Sequence, residues 1–390
     1  MQIEKLSETL TRFTLSIPDS DYIVNLVASI GKDGILLVDT GWTQTAEDVS
    51  QKLRELSDDM VKLIIFTHQH GDHIGGRGVL GKNATLIAHK DAKDDIEGRY
   101  FALDPLPGLE LPLITIENEL SLHFNGEDIQ VMHAPGHTSS DMVVHFVDSG
   151  VACLGDLLFS DTFPAMFAGY GGNADQYLET LGDLIENFPA DVRFIAGHGR
   201  DYSLDDLKEY YRMASSAISL IKGAMADGKS PEEMIEGNLL QEWEKWSSPE
   251  IPSADWVRMV YDSLSGQQER SIAEPFTQTL MEKGLDAAIE QYHELKKKQA
   301  DSYIFSENEV NMLGYHLLWR GMTEAAIEVH KLNIQAYPDS ANPYDSLADA
   351  YEAIGDVEHA IQSYKKALER NPEMPSAIEG LKRLKPEVQD

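Results

Sequence analysis

The chain has 390 residues, 42% of them hydrophobic, which is enough for two or three domains with proper cores. Its 32 basic and 66 acidic residues give a formal net charge of −34, which argues against a nucleic-acid partner because phosphate backbones would be repelled. The single cysteine, Cys153, excludes an intrachain disulfide. Without an apolar N-terminal run or a stretch of about 18 apolar residues, the sequence predicts no signal peptide and no membrane span, and we expect a cytoplasmic protein.

The N-terminal region begins with strand patterns. Residues 22–38 predict a hairpin that turns at Gly31 and Gly34. A second apolar run from Val61 to Phe66 is rich in β-branched and aromatic residues, which favours a buried strand. Thr67 ends this run, so the residues that follow should lie in a strand-to-helix turn.

The hexapeptide at positions 68–73 reads His-Gln-His-Gly-Asp-His and has metal-ligand spacing. His68 and His70 are two residues apart, so in an extended segment both imidazoles reach one cation, while Asp72 and His73 can serve a neighbouring cation. The alternative is a polar loop with solvated histidines. We favour metal binding, because four unpaired titratable groups behind a core strand are a costly arrangement.

Three further candidate ligands each follow a glycine at the predicted end of a strand: His137, Asp156 and His198. Glycine suits backbone that must turn sharply or approach a ligand closely. A lone histidine at a strand end is usually a surface residue, but together these residues complete two sites. We predict His68, His70 and His137 around one ion, the other three ligands around a second ion, and Asp156 as a bridge between them.

After His198 the pattern becomes helical. Ser203 and Asp206 have the spacing of a capping box and precede apolar residues at helical intervals. Residues 228–256 contain Trp243, Trp246 and Trp256, which either line a substrate pocket or contribute to interdomain packing; we favour interdomain packing.

The C-terminal region repeats with a period of 34 residues, as seen from Gly321 and Gly355 and from Pro338 and Pro372. This pattern resembles the tetratricopeptide repeat, a helix-turn-helix unit. A looser repeat begins at Gly284, and a final helix over residues 376–384 should cap the stack. Such a region either recruits a protein partner or acts as a homodimerisation or lid module; we favour the second slightly.

The N-terminal ligand order resembles that of the metallo-β-lactamase superfamily of binuclear metallohydrolases over residues 1–212. The segment Ile35-Leu-Leu-Val-Asp39-Thr40-Gly41 matches that superfamily's first motif, whose aspartate orients the metal-binding turn. The resemblance implies an α/β fold, a four-layer αββα sandwich. We therefore expect this domain at residues 1–212, a helical extension packed on it at 213–272, and an all-α repeat domain at 273–390.

The resemblance also implies a hydrolase that holds two divalent ions, Zn²⁺ first and Mn²⁺ or Fe²⁺ as substitutes. We expect a metal-bridging hydroxide to cleave an ester, thioester, lactone or related bond of a small molecule. Asp72 would act as ligand and proton acceptor, and Tyr170 would stabilise the oxyanion, although an ordinary loop aromatic explains Tyr170 equally well. A bridging Asp156 argues against the β-lactamases proper.

Two other functions stay open at this point. The same ligands serve iron, as in superfamily members that resemble persulfide dioxygenases and hold a single iron. The second alternative is a repeat-based scaffold with a vestigial hydrolase domain. The complete ligand set argues against this alternative. In either enzyme the substrate depends on loops near residues 103–113 and 163–173 and on the tryptophan segment.

Overall fold

The computed structural model describes residues 1–16, 22–93, 113–249, 251–265, 270–298, 302–319, 321–372 and 374–384. The chain divides into two compact units, residues 1–268 and 269–390. Of the candidate substrate loops, residues 103–112 lie outside the described residues. No helix in the described ranges is both long enough and apolar enough to cross a membrane.

Two β-sheets form the centre of the first unit. The first sheet contains, in chain and spatial order, β1 (Gln2–Lys5), β2 (Leu10–Ser16), β3 (Ile23–Gly31), β4 (Gly34–Val38), β5 (Val61–Ile65), β6 (Thr85–His89) and β7 (Leu113–Ile116). The second sheet contains β8 (Glu119–Phe124), β9 (Glu127–His133), β10 (Met142–Phe146), β11 (Val151–Phe159) and β12 (Arg193–His198). These strands also lie next to one another in chain order. The predicted hairpin is confirmed, because β3 and β4 are antiparallel and Gly31 pairs with Gly34.

Helices cover the outer face of each sheet. They are α1 (Ala46–Leu56), α2 (Gly71–Ile74), α3 (Arg77–Leu80), α4 (Ala174–Asn187), α5 (Leu204–Ala226), α6 (Pro231–Glu236) and α7 (Ser253–Ser265). The first sheet packs against α1 through Val49 and Leu53. The second sheet packs against α4 and α5 through Leu181 and Leu207. The predicted capping box of Ser203 and Asp206 is confirmed at the start of α5.

The four layers follow from the alternation of apolar residues along the strands. On β4, Leu36 and Val38 enter the core between the two sheets, whereas Ile35 and Leu37 face the outer core under α1. On β12, Ile195 faces the first sheet, and its neighbours Phe194 and Ala196 face the helices. Successive side chains of a strand point to opposite faces, so strands that are buried on both faces are apolar throughout. The predicted αββα sandwich is confirmed.

The second unit is helical. Its helices are α8 (Ala273–Lys283), α9 (Leu285–Lys298), α10 (Glu307–Trp319), α11 (Thr323–Ala336), α12 (Asn342–Ala353), α13 (Val357–Arg370) and α14 (Pro375–Leu384), and two-residue strands β13 (Arg270–Ser271) and β14 (Tyr303–Ile304) pair in parallel. Small residues permit close helix packing: a Cβ added at Gly380 of α14 would lie 2.4 Å from Cζ of Tyr364 on α13. The predicted all-α C-terminal region and its final helix are confirmed.

The tryptophans of residues 228–256 contribute to packing in the first unit. Trp256 is completely buried, stacks on Phe163 with ring centroids 4.4 Å apart, and donates a hydrogen bond from Nε1 to the Pro164 carbonyl. Trp246 is also buried and lies beside Tyr210 of α5. These contacts favour the packing role over a pocket-lining role for both residues.

Candidate metal centre

The hexapeptide forms the strand-to-helix turn that its sequence predicts. β5 ends at Ile65, His68 and His70 follow in the loop, and Asp72 and His73 lie on the single-turn helix α2. His70 caps this turn, since its carbonyl accepts hydrogen bonds from the backbone N–H groups of His73 and Ile74. The four side chains are thereby fixed at one edge of the first sheet.

One group of candidate ligands combines His68 and His70 with His137 of the β9–β10 connection. His70 Nδ1 lies 3.0 Å from His68 Nε2 and 2.9 Å from His137 Nε2. Oδ2 of Asp156, on β11, lies 3.6 Å from His68 Nε2 and 3.5 Å from His137 Nε2. These four ligand atoms lie within 4.8 Å of one another, and we call these residues the first ligand set.

The second ligand set consists of Asp72, His73 and His198. Oδ2 of Asp72 lies 3.3 Å from His198 Nε2 and 3.8 Å from His73 Nε2. The other carboxylate oxygen of Asp156, Oδ1, lies 3.0 Å from His73 Nε2 and 3.1 Å from His198 Nε2. The two oxygens of Asp156 therefore face different ligand sets, as a bridging role requires.

The chemistry of the donor atoms suits divalent cations. Two of them, His73 Nε2 and Asp156 Oδ1, are buried and have no hydrogen bond of acceptable geometry in the described structure, although they lie close together. Buried polar atoms are normally satisfied, so atoms that converge without a hydrogen bond need another partner. Imidazole nitrogens and carboxylate oxygens are ligands of zinc and of other first-row divalent metals.

Electrostatics keeps the first ligand set suited to metal binding. Burial lowers the pKa of His137 to about 3. Burial and the neighbouring charge of His73 hold the pKa of His68 well below its ordinary value. Burial opposes the charge on Asp156, but His198, His73 and His68 outweigh it and hold the pKa of that carboxyl well below its usual range. Neutral imidazoles beside an ionised carboxylate are the protonation states that a cation needs.

Hydrogen bonds to the far side of the imidazoles orient them toward the centre. Nδ1 of His137 donates to the Ala165 carbonyl at 2.9 Å, and Nδ1 of His198 donates to the Ile23 carbonyl. Nδ1 of His73 lies 2.8 Å from Oδ2 of Asp39, the aspartate that the sequence predicts to orient this turn. In each case Nε2 faces the centre. Hydrogen-bond partners of the other ring nitrogen usually orient metal-binding histidines in this way.

Two glycines permit close packing of the backbone around the candidate metal centre. A Cβ added at Gly197, before His198, would lie 2.1 Å from Asp156 Oδ1. Gly155, before Asp156, has a φ of +53°, and a Cβ there would lie 2.5 Å from Thr67 Oγ1. The prediction that these positions need close backbone approach is confirmed.

Tyr170 lies beside the first ligand set. It ends a short 3-10 turn, Ala168–Tyr170, and its ring centroid is 5.1 Å from that of His70. Its loop is anchored to the His137 turn, because the Tyr170 carbonyl accepts a hydrogen bond from Ser139 N and the His137 carbonyl accepts one from Phe167 N. Phe167 is 38% exposed although its ring lies 5.3 Å from that of His137. An apolar surface therefore borders this set.

Two residues that contact the centre or hold it carry no motif that marks them as functional in the sequence. Tyr22 Oη lies 3.1 Å from His198 Nε2. Asn25 Nδ2 donates to the carbonyls of Ala196 and Gly199 at 3.0 and 2.9 Å, and so ties β3 to the chain on both sides of His198. Both residues are part of an ordinary strand pattern, and the polar Asn25 within an apolar strand was the one available signal.

Comparisons with known proteins agree with this description. Residues 22–198 match the family model of the metallo-β-lactamase superfamily, and residues 341–374 match a tetratricopeptide repeat model. A β-lactamase-like protein 2 homolog of Drosophila melanogaster is 29% identical over 176 residues, which are 42% of this chain and 54% of that protein. A hydroxyacylglutathione hydrolase of Synechococcus sp. (strain JA-3-3Ab) is 31% identical over 163 residues, 42% of this chain and 58% of that protein.

The chain thus spans somewhat more than half the length of these two relatives. Among solved structures, a metallo-β-lactamase from Pontibacter korlensis matches with a TM-score of 0.46 and 16% identity, over 55% of this chain and 98% of that one. The DIM-1 metallo-β-lactamase matches with the same TM-score and 22% identity, over 55% of this chain and 97% of that one. Residues 22–198 are a domain of the metallo-β-lactamase superfamily, and the helical C-terminal unit contains a tetratricopeptide repeat at residues 341–374.

Proposed function

We propose that the first unit is a metal-dependent hydrolase that holds two divalent cations and cleaves an ester, thioester, lactone or related bond of a small molecule. The observation that carries this proposal is the position of the Asp156 carboxylate between the two ligand sets. Its Oδ2 faces His68 and His137, and its Oδ1 faces His73 and His198. A carboxylate placed in this way can hold two cations side by side. Zn²⁺ suits the donors best, and Mn²⁺ or Fe²⁺ are the substitutes.

When bound, two divalent ions make water a nucleophile near neutral pH and polarise the substrate's carbonyl or phosphoryl oxygen. The chain itself supplies orientation and proton transfer. The Asp72 side chain is 16% exposed, against 3% for Asp156, so Asp72 can accept a proton at the rim of the centre while it holds a cation. Tyr170, beside His70, is our candidate for a donor to a developing oxyanion.

Several observations bear on the substrate. The formal net charge of −34 disfavours polyanions such as nucleic acids. The partly exposed ring of Phe167 next to His137 favours a substrate with an apolar portion near the reacting bond. The name hydroxyacylglutathione hydrolase carried by a relative makes thioesters a priority for testing.

We prefer a hydrolase with two cations to a mononuclear iron enzyme, because Asp72, His73 and His198 provide a second group of metal-binding atoms. An intact pair of ligand sets likewise disfavours a vestigial domain. For the repeat unit, we propose either recruitment of a protein partner or self-association, which a size measurement on the full chain separates. The cytoplasmic location stays a prediction.

Elemental analysis of protein purified without added metal tests the hydrolase proposal. We expect about two zinc or manganese ions per chain and hydrolysis within a panel of small esters, thioesters and lactones. Asp156→Ala should lose both metal and activity, whereas Asp205→Ala, at a carboxylate that is 93% exposed, should retain both. One iron per chain with little zinc would support the dioxygenase-like alternative, and a folded protein that binds no metal would support the scaffold.

A further inference from the structure

Strand β11 is irregular where it carries Asp156. Gly155 is paired with Ala196 of β12, and Phe159 is paired with His198, so three residues of β11 lie opposite one residue of β12 between these pairs. An excess of residues on one strand forms a β-bulge, which redirects side chains and interrupts the hydrogen bonds to the neighbouring strand. Asp156 is the first residue of this bulge.

The side chain of Tyr177, on α4, supports the bulge. Its hydroxyl donates a hydrogen bond to the Leu157 carbonyl at 2.7 Å, and the phenol is completely buried. Burial raises the pKa of Tyr177 well above its ordinary value, so the hydroxyl keeps its proton and remains a donor. Because Leu157 directly follows Asp156, this bond fixes the backbone beside the carboxylate that faces both ligand sets.

Tyr177 also packs against the turn that carries His137. A Cβ added at Gly136, the residue before His137, would lie 2.9 Å from both Cα and Cδ2 of Tyr177. Glycine permits this close approach because it has no side chain. The glycine before His137 therefore makes room for the residue that supports the strand of Asp156.

Helix α4 is bonded to the same turn on both sides of Tyr177. The backbone N–H of its N-cap, Asn173, donates to the Gly136 carbonyl at 3.0 Å. The hydroxyl of Thr180 donates to the Pro135 carbonyl at 2.6 Å. Tyr177 and Thr180 are three residues apart and so share one face of the helix. One helix face thus bonds to both elements that supply His137 and Asp156.

We propose, on the basis of the proposed function, that Tyr177 is a positioning residue that fixes Asp156 relative to His137 in the first ligand set. His68 and His70 lie on one loop, so their spacing is set locally. His137 and Asp156 belong to separate elements, yet their ligand atoms Nε2 and Oδ2 lie 3.5 Å apart. Residues that orient metal ligands from behind contribute to metal affinity without contact with the metal.

Cobalt binding by Tyr177→Phe tests this role without catalysis. The substitution keeps the ring against Gly136 but removes the hydrogen bond to Leu157. Competition with a chromophoric chelator measures the affinity for Co²⁺. We expect half-saturation of the variant to need about 10-fold more free Co²⁺ than half-saturation of the unmodified protein, the lower end of the usual effect of such residues.

Ser29→Ala is the matched control. It removes a buried hydrogen bond, from Asn125 Nδ2 to Ser29 Oγ at 3.0 Å, in the same unit of the chain. Ser29 lies six residues along β3 from Ile23, whose carbonyl contacts His198, which places it about 20 Å further along the strand. This variant should lose stability but bind Co²⁺ like the unmodified protein.

The visible spectrum of bound Co²⁺ separates positioning from a general loss of stability, because the spectrum reports the geometry of the ligands. At saturating Co²⁺ the spectrum of Tyr177→Phe should differ from that of the unmodified protein, whereas the spectrum of Ser29→Ala should be the same. If Tyr177→Phe does not fold, Thr180→Val provides the test, since it removes the bond from α4 to Pro135. We expect about 3- to 10-fold weaker Co²⁺ binding in that variant, the usual effect of one lost hydrogen bond.

Unchanged Co²⁺ affinity in folded Tyr177→Phe, or in Thr180→Val where that variant replaces it, would overturn the assignment. An identical spectrum at saturation would also overturn it, because Asp156 would then keep its geometry without the hydroxyl of Tyr177. If the unmodified protein binds two Co²⁺ but hydrolyses no ester, thioester or lactone, the proposed function fails while the Co²⁺ comparison still decides the role of Tyr177. An unmodified protein that binds no Co²⁺ would overturn both.

Discussion

Asp39 and His73 are joined by a 2.8 Å contact between Oδ2 of the aspartate and Nδ1 of the histidine. The same carboxylate accepts hydrogen bonds from the backbone N–H and the hydroxyl of Thr67, both at 2.8 Å. Asp39 has a φ of +64°, an uncommon conformation for a residue other than glycine. One side chain at the end of β4 thus fixes both the start of the metal-binding loop and the ring of a candidate ligand.

Asp39→Asn should weaken metal binding at the second ligand set. An amide replaces the carboxylate that orients His73, and loss of such a partner typically costs 10- to 100-fold in metal affinity. Asparagine tolerates positive φ, so the change leaves the backbone conformation accessible. Competition with a chromophoric chelator measures the zinc affinity, and Asp205→Asn at an exposed position is the control. An unchanged affinity would contradict the role that we assign to Asp39.

Gly197→Ala should disrupt the centre through Asp156. The added methyl group would lie 2.1 Å from Oδ1 and 2.8 Å from the backbone carbon of Gly155, so the carboxylate or the β11 backbone must move. We expect metal content to fall below about one ion per chain and activity to be lost, since overpacking commonly costs about 1–3 kcal/mol and displaces side chains. Elemental analysis measures the loss.

Gly223→Ala is the matched control for this change. Gly223 lies within α5, and beyond the helix's own backbone no atom of the described residues lies within 4 Å of the added methyl group. Alanine should stabilise the helix by about 1 kcal/mol and leave metal content unchanged. Equal metal content in the two variants would mean that the contact between Gly197 and Asp156 does not constrain the centre.

Asp72→Asn should abolish turnover while the fold is retained. The substitution keeps the shape of the side chain but removes the negative charge that lies 3.3 Å from His198 Nε2, together with the ability to accept a proton. Loss of a general base typically lowers kcat by about 10²- to 10⁴-fold. Steady-state kinetics measures this effect, with circular dichroism as the test of folding. Full activity in the variant would remove Asp72 from the mechanism.

His330 should make the stability of the repeat unit depend on pH. It is completely buried against Gly314 and Tyr315, and burial lowers its pKa to about 4. The unfolded chain binds a proton here below a pH of about 6.5, whereas the folded chain does not until a pH of about 4. Stability is therefore lost as pH falls through this window, by about 1.4 kcal/mol per pH unit.

Hydrogen exchange of the α10 and α11 peptides, corrected for intrinsic rates, measures this loss in the full chain. His330→Leu should remove the pH-dependent component. Burial raises the pKa of Asp345 to about 6, and this opposes the effect of His330 because the folded state then binds the extra proton. That contribution is the same in both proteins and cancels in the comparison. Identical pH dependence in the two proteins would rule out the contribution of His330.

The sequence by itself determined the metal-binding loop, because His68, His70, Asp72 and His73 lie within six positions and a strand before a turn fixes their local directions. It likewise determined the capping box of Ser203 and Asp206, which spans four residues, and the 34-residue helical repeat. Each of these signals is local or periodic. Local geometry and hydrophobic period can be derived without knowledge of how distant segments meet.

Only the tertiary structure decided which oxygen of Asp156 faces which ligand set and which phenol lies against His198. Tyr22 and His198 are 176 residues apart, and Tyr22 has no sequence feature that separates it from other strand aromatics. Their contact exists because the two sheets pack face to face and bring the start of β3 beside the end of β12. Packing across that interface depends on the whole apolar core, so the position of the phenol is a property of the fold and not of a motif.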